Sequence, residues 1–218
     1  MWYGSPRDFN DPFDCRTILN TTCTEAELAR FVNDNNPGVS QAALQAIIQL
    51  YAQRPAEFER VMREKSETLI SQTGVCCFGQ DPSNILMWSH YSDSHKGLCL
   101  KFDILADLTA FAWLFKVRYS NDYPAFNYLQ EPEQIPDLFR VKSDAWRYEQ
   151  EWRAVKHGAI GAHPFAKSAL REIIFGCKAE PKFVESIKQL ANEHGFSHVT
   201  YLQARSSETS FSLTLAPL

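Results

Sequence analysis

Residues 74–103 read GVCCFGQDPSNILMWSHYSDSHKGLCLKFD, and the fold is decided by how this stretch alternates apolar runs with polar turns. Val75 to Phe78 is an apolar run of strand length. Asp81 before Pro82 is a helix-opening pair: a side-chain acceptor, then a residue suited to the first helical position. Ser83 to Tyr91 carries Ile85, Leu86, Met87 and Trp88; the polar run Ser92 to Lys96 and then Gly97 end the turn. Leu98 to Phe102 reads as a second buried strand. His90, Tyr91, His95 and Lys96 therefore fall on a short exposed connection between two buried strands, where functional groups concentrate.

Upstream, Thr24 to Thr73 is helical by independent signals. Thr24 and Glu27 form a capping box, and Asn33 to Gly38 breaks the first helix. Ser40 caps a second helix with Leu44, Ile47, Ile48 and Tyr51 on one face, and Pro55 opens a third with Phe58, Val61, Met62, Lys65 and Leu69 in register. Downstream, Leu105 to Leu114 reads as a helix and Phe115 to Tyr119 as a strand. Tyr123 to Pro136 is irregular and is expected to be a long loop or lid. Leu170 to Gly176 reads as a buried strand, Pro181 to His194 as an amphipathic helix stopped by Gly195, and Val199 to Ala204 with Ser210 to Leu215 as a hairpin. The expectation is a single α+β domain over residues 1–218: a mixed or antiparallel sheet, an N-terminal helical layer or insertion at residues 24–73, and a C-terminal helix plus β-hairpin.

The 218 residues are 44% hydrophobic and 13% aromatic, ample for a core. A net charge of −4 lacks the basic footprint of a dedicated nucleic-acid binder, although local basic patches stay open. No apolar run approaches the roughly 20 residues that span a bilayer, and the opening Met1-Trp2-Tyr3-Gly4 is not a secretory signal, so a cytoplasmic location is expected. The six cysteines form no CxxC pair and several lie in apolar runs; they read as reduced, buried thiols rather than metal ligands.

Two further stretches carry chemistry. In GSPRDFNDPFDC, residues 4–15, Pro6, Asn10, Asp11 and Pro12 mark turns, with Phe9 and Phe13 as anchors; the loop is either rigid scaffolding or a ligand contact. In VKSDAWRYEQEWRAV, residues 141–155, Ser143 or Asp144 is suited to cap a turn, while the C-terminal half reads as extended: Trp146, Tyr148 and Trp152 share one strand parity and Arg147, Glu149, Glu151 and Arg153 the other, whereas on a helix Glu149 and Arg153 would form an i,i+4 pair. An extended backbone would project both carboxylates from one face. His90 and His95 are five apart across a turn, which is neither helical nor strand metal spacing, so no metal is expected; His90 is either a general base or a structural clasp.

Taken together, SPRDFNDPFDC, VCCFGQDPSNILMWSHYSDSHKGLCLKFD, FKVRYS, WRYEQEWR and LREIIFGC resemble, in order and spacing, the bacterial domain-of-unknown-function family numbered 2971. The resemblance implies that members carry a segment before the FNDPF motif, which this chain lacks, and implies no established activity. Glu149-Gln150-Glu151 also looks like the Glu-x-Glu of ADP-ribosyltransferases. That likeness implies that Glu151, with Glu149, stabilises the cation formed as NAD loses nicotinamide, while a first-strand His or Arg would lie upstream of Met1. A carboxylate beside developing positive charge is sound electrostatic catalysis, Arg147 or Arg153 would grip pyrophosphate, and Trp146, Tyr148 or Trp152 would stack on a ring. The expected site is one cleft lined by Asn10, Asp11, His90, Tyr91, His95, Glu149, Glu151 and Arg153, holding a nucleotide-like ligand such as NAD as substrate. The competing expectation is a non-catalytic sensing or interaction module in which the same polar cluster ties loops together. Burial of both glutamates in saturated ion pairs favours the second.

Overall fold

A computed structural model describes residues 1–131 and 135–218. The chain opens on two two-residue strands, β1 (Trp2–Tyr3) and β2 (Ile18–Leu19), separated by the turn-rich loop. Then come α1 (Glu25–Asn35), α2 (Gln41–Gln53) and α3 (Pro55–Gln72). Both halves of the Thr24 capping box form: Thr24 Oγ1 accepts from the Glu27 amide at 3.2 Å, and Glu27 Oε2 accepts from the Thr24 amide at 2.7 Å. Their apolar stripes meet in a core of Leu28, Phe31, Val32, Leu44, Ile48, Phe58 and Met62, closed from outside by Leu129.

Next in order are β3 (Thr73–Phe78), α4 (Ile85–Tyr91), β4 (Leu98–Phe102), β5 (Leu114–Lys116), β6 (Arg118–Ser120) and β7 (Ala125–Phe126). They are followed by α5 (Asp137–Arg140), β8 (Val141–Ser143), β9 (Trp152–His157), β10 (Gly161–Ala162) and β11 (Leu170–Phe175). The chain ends with α6 (Pro181–Glu193), β12 (Thr200–Ser206) and β13 (Leu213–Pro217). This is the α+β architecture expected, with its helical layer, terminal helix and hairpin. The sheet is divided: a mixed four-stranded sheet in the order β13-β12-β11-β4, an antiparallel three-stranded sheet in the order β3-β9-β5, and two-stranded pairs around them. In the larger sheet β11 runs parallel to β12 and antiparallel to β4. α6 covers one face through Val184 and Ala191, and Trp88 of α4 fills the other against Ile174, Ala204 and Leu213. Burying an aromatic of that size contributes on the order of 3 kcal/mol.

Three local expectations are corrected. Asn84, not Asp81, caps α4, accepting from the Leu86 amide at 3.0 Å, while Asp81 folds its own turn through Ser83. No helix spans 105–114: Asp103 and Asp107 each accept from nearby amides, at Leu105 and Ala110, and split the segment into a single 3-10 turn (Ile104–Ala106) and a further turn. Residues 146–149 are not extended, because the turn expected at Ser143 runs further. Ser143 caps a 3-10 turn over Asp144–Glu149, and Gln150 at φ 46° reverses the chain before β9 begins. The stretch expected as a lid is partly core, since Phe126, Asn127 and Leu129 are buried; its residues 132–134 lie outside the described residues. Among the described residues, no helix is long and apolar enough to cross a membrane.

The connection after α4 is tightly wound. Asp93, Ser94 and His95 have φ of 44°, 53° and 71°, three consecutive left-handed residues without a glycine among them, a conformation costing roughly 1–2 kcal/mol each. It is held by its neighbours. The His95 amide donates to Trp88 O at 3.1 Å, and His95 O accepts from the Lys178 amide at 3.0 Å. Gly176, at the end of β11, lets this loop lie directly on the sheet: a Cβ there would fall 2.1 Å from His95 O.

Candidate functional site

The turn at Gln150 brings both glutamates to one lysine. Lys142, the middle residue of β8, lies opposite Tyr119 in the parallel pairing of β6 with β8. Its Nζ donates to Glu149 Oε2 at 2.5 Å and to Glu151 Oε2 at 3.0 Å, and stands 4.0 Å from Asp14 Oδ2. Arg153 on β9 is wholly buried. It grips Glu151 through Nε at 2.7 Å and Nη2 at 3.1 Å, and Asp14 through Nη1 at 2.8 Å and Nη2 at 2.6 Å. A third partner is Phe139 O, 3.0 Å from Nη1. From α4, Tyr91 OH donates to Glu149 Oε1 at 2.7 Å. The Tyr119 hydroxyl accepts from the Glu151 amide at 2.8 Å, and the Phe9 ring lies 5.5 Å from the Arg153 guanidinium.

Three carboxylates against two cations leave one excess negative charge, spread over a site in which Glu149 and Glu151 are each 3% exposed. Such a buried set persists only when every member is matched. Burial raises the Glu151 pKa, but Arg153 and then Lys142 more than offset it, and the carboxyl ends below its ordinary value. Burial opposes the charged form of Lys142 as well, yet Glu151 and Glu149 leave its pKa raised. Arg153 follows the same rule, with Asp14 and Glu151 outweighing burial. The thiol of Cys77, opposite Arg153 on β3, is pushed well up by burial and by Glu151, so it is no activated nucleophile. The residue as a whole is nevertheless exposed.

A depressed Glu151 stabilises the fold above the carboxylate's unfolded pKa, about 4.3, and that stability is lost as pH falls through the lower folded value. A raised Lys142 stabilises below the unfolded lysine pKa, about 10.4, and its share is lost above that, as pH rises through the folded value. Urea midpoints measured against pH are therefore expected to fall on the acid side below about 4.3, and to fall less steeply there in Glu151→Gln. Equal slopes in the two proteins would show that the cluster is not what fails in acid.

The structure places the expected site residues in three groups. Tyr91, Glu149, Glu151 and Arg153 meet, and Asn10 reaches the Tyr91 phenol. His90 and Arg147 stand outside. His90 is exposed, with its ring 6.4 Å from that of Tyr148; Arg147 is exposed, paired with Asp144, and lies 5.5 Å from the Tyr119 ring. Asp11 and His95 serve local structure. Asp11 Oδ1 accepts from the Phe13 amide at 2.9 Å, and His95 lies in the left-handed loop with Nδ1 buried and without a hydrogen-bond partner among the described residues. Glu149 and Glu151 do not project from a strand edge as expected; the 3-10 turn and Gln150 fold them inward. One cavity lies beside Arg118 and Asp137 and another beneath α3, and neither glutamate lines them. Among the described residues no group of three or more His, Cys, Asp or Glu is placed to hold a metal.

Sequence reasoning overlooked Lys142 and Asp14. The signal for Lys142 was present: a charged residue behind buried Val141 and immediately before the capping Ser143 has no surface to occupy unless it is paired. Neither the curated proteins nor the solved structures compared give a match. Residues 87–154, which carry Tyr91, Lys142, Glu149, Glu151 and Arg153 but not Asp14, match the model of the family described as "Protein of unknown function (DUF2971)", to which this part of the chain is similar.

Proposed function

We propose that the chain is a non-catalytic binding module: Glu149 and Glu151 form a structural clasp, and the aromatic rim of His90, Tyr91 and Tyr148 beside it meets a nucleotide-like ligand. What supports this reading is that all four oxygens of the two carboxylates are already taken, Glu149 by Tyr91 and Lys142, Glu151 by Arg153 and Lys142. A carboxylate that stabilises a glycosyl cation must face the substrate, whereas Glu149 and Glu151 are buried against their partners. The rim has the chemistry of stacking: the His90 ring lies 6.3 Å from that of Tyr91 and 6.4 Å from that of Tyr148, and His90 and Tyr91 are exposed. The transferase reading keeps one observation in its favour. Tyr91 is 49% exposed, so rotation of a single phenol would uncover one oxygen of Glu149.

One experiment separates the two. Purified protein is incubated with NAD, nicotinamide release is assayed, and tryptophan and tyrosine fluorescence is followed in the same titration. The binding module gives no release above buffer and a saturable fluorescence change that Tyr91→Ala weakens by about tenfold, the size of one lost stack. Release that disappears in a folded Glu151→Gln variant establishes the transferase instead.

A further inference from the structure

Between α3, β2 and the segment carrying Phe126 and Leu138 lies a cavity of about 220 Å³ that belongs to neither the clasp nor the rim. Its floor is apolar: Met62, Phe126 and Leu138 are 2–3% exposed, and Leu19 and Leu69 complete it. Its mouth is polar, with Asn35, Lys65, Ser66, Thr68, Gln72 and His157. Among the described residues that line it, Lys65 is the one lysine or arginine, and none is an aspartate or glutamate. The ammonium is poised there, donating to Asn35 Oδ1 at 3.0 Å and lying 5.6 Å from the Phe31 ring. The Lys65 ammonium has three protons, and Asn35 is the one acceptor of them among the described residues.

From this arrangement we infer a binding site for a small aryl carboxylate, a single ring bearing a short acidic arm. The size follows from the volume: a dry apolar cavity of about 150 Å³ accepts benzene, so about 220 Å³ takes a ring and a few further atoms. Charge sets the orientation. The ring fills the floor, where it excludes water from Met62, Phe126 and Leu138, and the carboxylate reaches Lys65 in a charge-assisted hydrogen bond with Thr68 and Gln72 alongside. The walls come from both the helical layer and the strand-bearing part of the chain, so a ligand here bridges them.

The chain has three methionines, Met1, Met62 and Met87, and only Met62 lines the cavity. In protein labelled with ¹³C at the methionine methyls, phenylacetate at millimolar concentration is expected to shift the Met62 resonance saturably and leave Met1 and Met87 in place. Phenylacetamide, which keeps the shape and removes the charge, and the exposed-site variant Lys65→Gln each weaken the response by about tenfold or more, the worth of one hydrogen bond to a charged group. An unmoved Met62, movement of Met87 in its stead, or equal binding of phenylacetamide overturns the assignment. Because Met87 lies on α4, beside the clasp, this readout is independent of the NAD titration.

Discussion

Arg153→Met is expected to lower the unfolding free energy by about 3–5 kcal/mol, the scale for removing one partner from a buried charge pair. The guanidinium is wholly buried and serves Asp14, Glu151 and Phe139 O at once. Methionine fills much of its volume but leaves Asp14 with Lys142 at 4.0 Å as its remaining cation. With total stabilities of about 5–15 kcal/mol for domains of this kind, such a loss approaches global unfolding. Urea denaturation of the variant is the measurement. Glu57→Gln, which breaks the exposed pair with Arg60 on α3, serves as its control and should leave the midpoint where it was. A parent-like midpoint for Arg153→Met would mean that the buried network contributes nothing net.

Gly176→Ala is the second large effect, and it arises without any charge. The added Cβ would meet His95 O at 2.1 Å and His95 C at 2.6 Å, backbone atoms that no side-chain rotation relieves. To make room, the loop must lift from the sheet, which breaks the bond from the Lys178 amide to His95 O and disturbs Trp88 beneath it. The left-handed run Asp93 to His95 then keeps its conformational cost with fewer bonds to offset it. The expected loss is about 3 kcal/mol, at the upper end of overpacking, and a fall in Tm of roughly 6–12 °C for a chain of this length. Gly79→Ala supplies the contrast: its nearest neighbour is the movable end of Met87 at 3.4 Å, so thermal unfolding should barely change.

Those two positions also mark where the sequence was legible and where it was not. Thr24, Ser40, Pro55 and the periodic apolar residues behind them announce α1 to α3, because caps and a 3.6-residue period are local signals. The strands around α4 and the terminal hairpin were equally plain. The extended reading of Trp146 to Glu149 failed because alternation over so few residues does not outweigh the cap at Ser143, and the reversal fell to Gln150, whose left-handed conformation no glycine announces. Four members of the cluster were recognised as candidates and two were not. Arg153 meets Asp14 across 139 positions and Tyr91 meets Glu149 across 58, separations that only the tertiary fold closes.

One lysine shared between two glutamates, with an arginine joining the second of them to Asp14, makes the charge at positions 14, 142, 149, 151 and 153 a single quantity. A chain diverging from this one cannot exchange those residues one at a time, since each lone replacement strands a buried ion. Neutral substitution there must proceed in compensated groups, so the five should be retained or lost as a set, while the exposed residues beside them are free to drift.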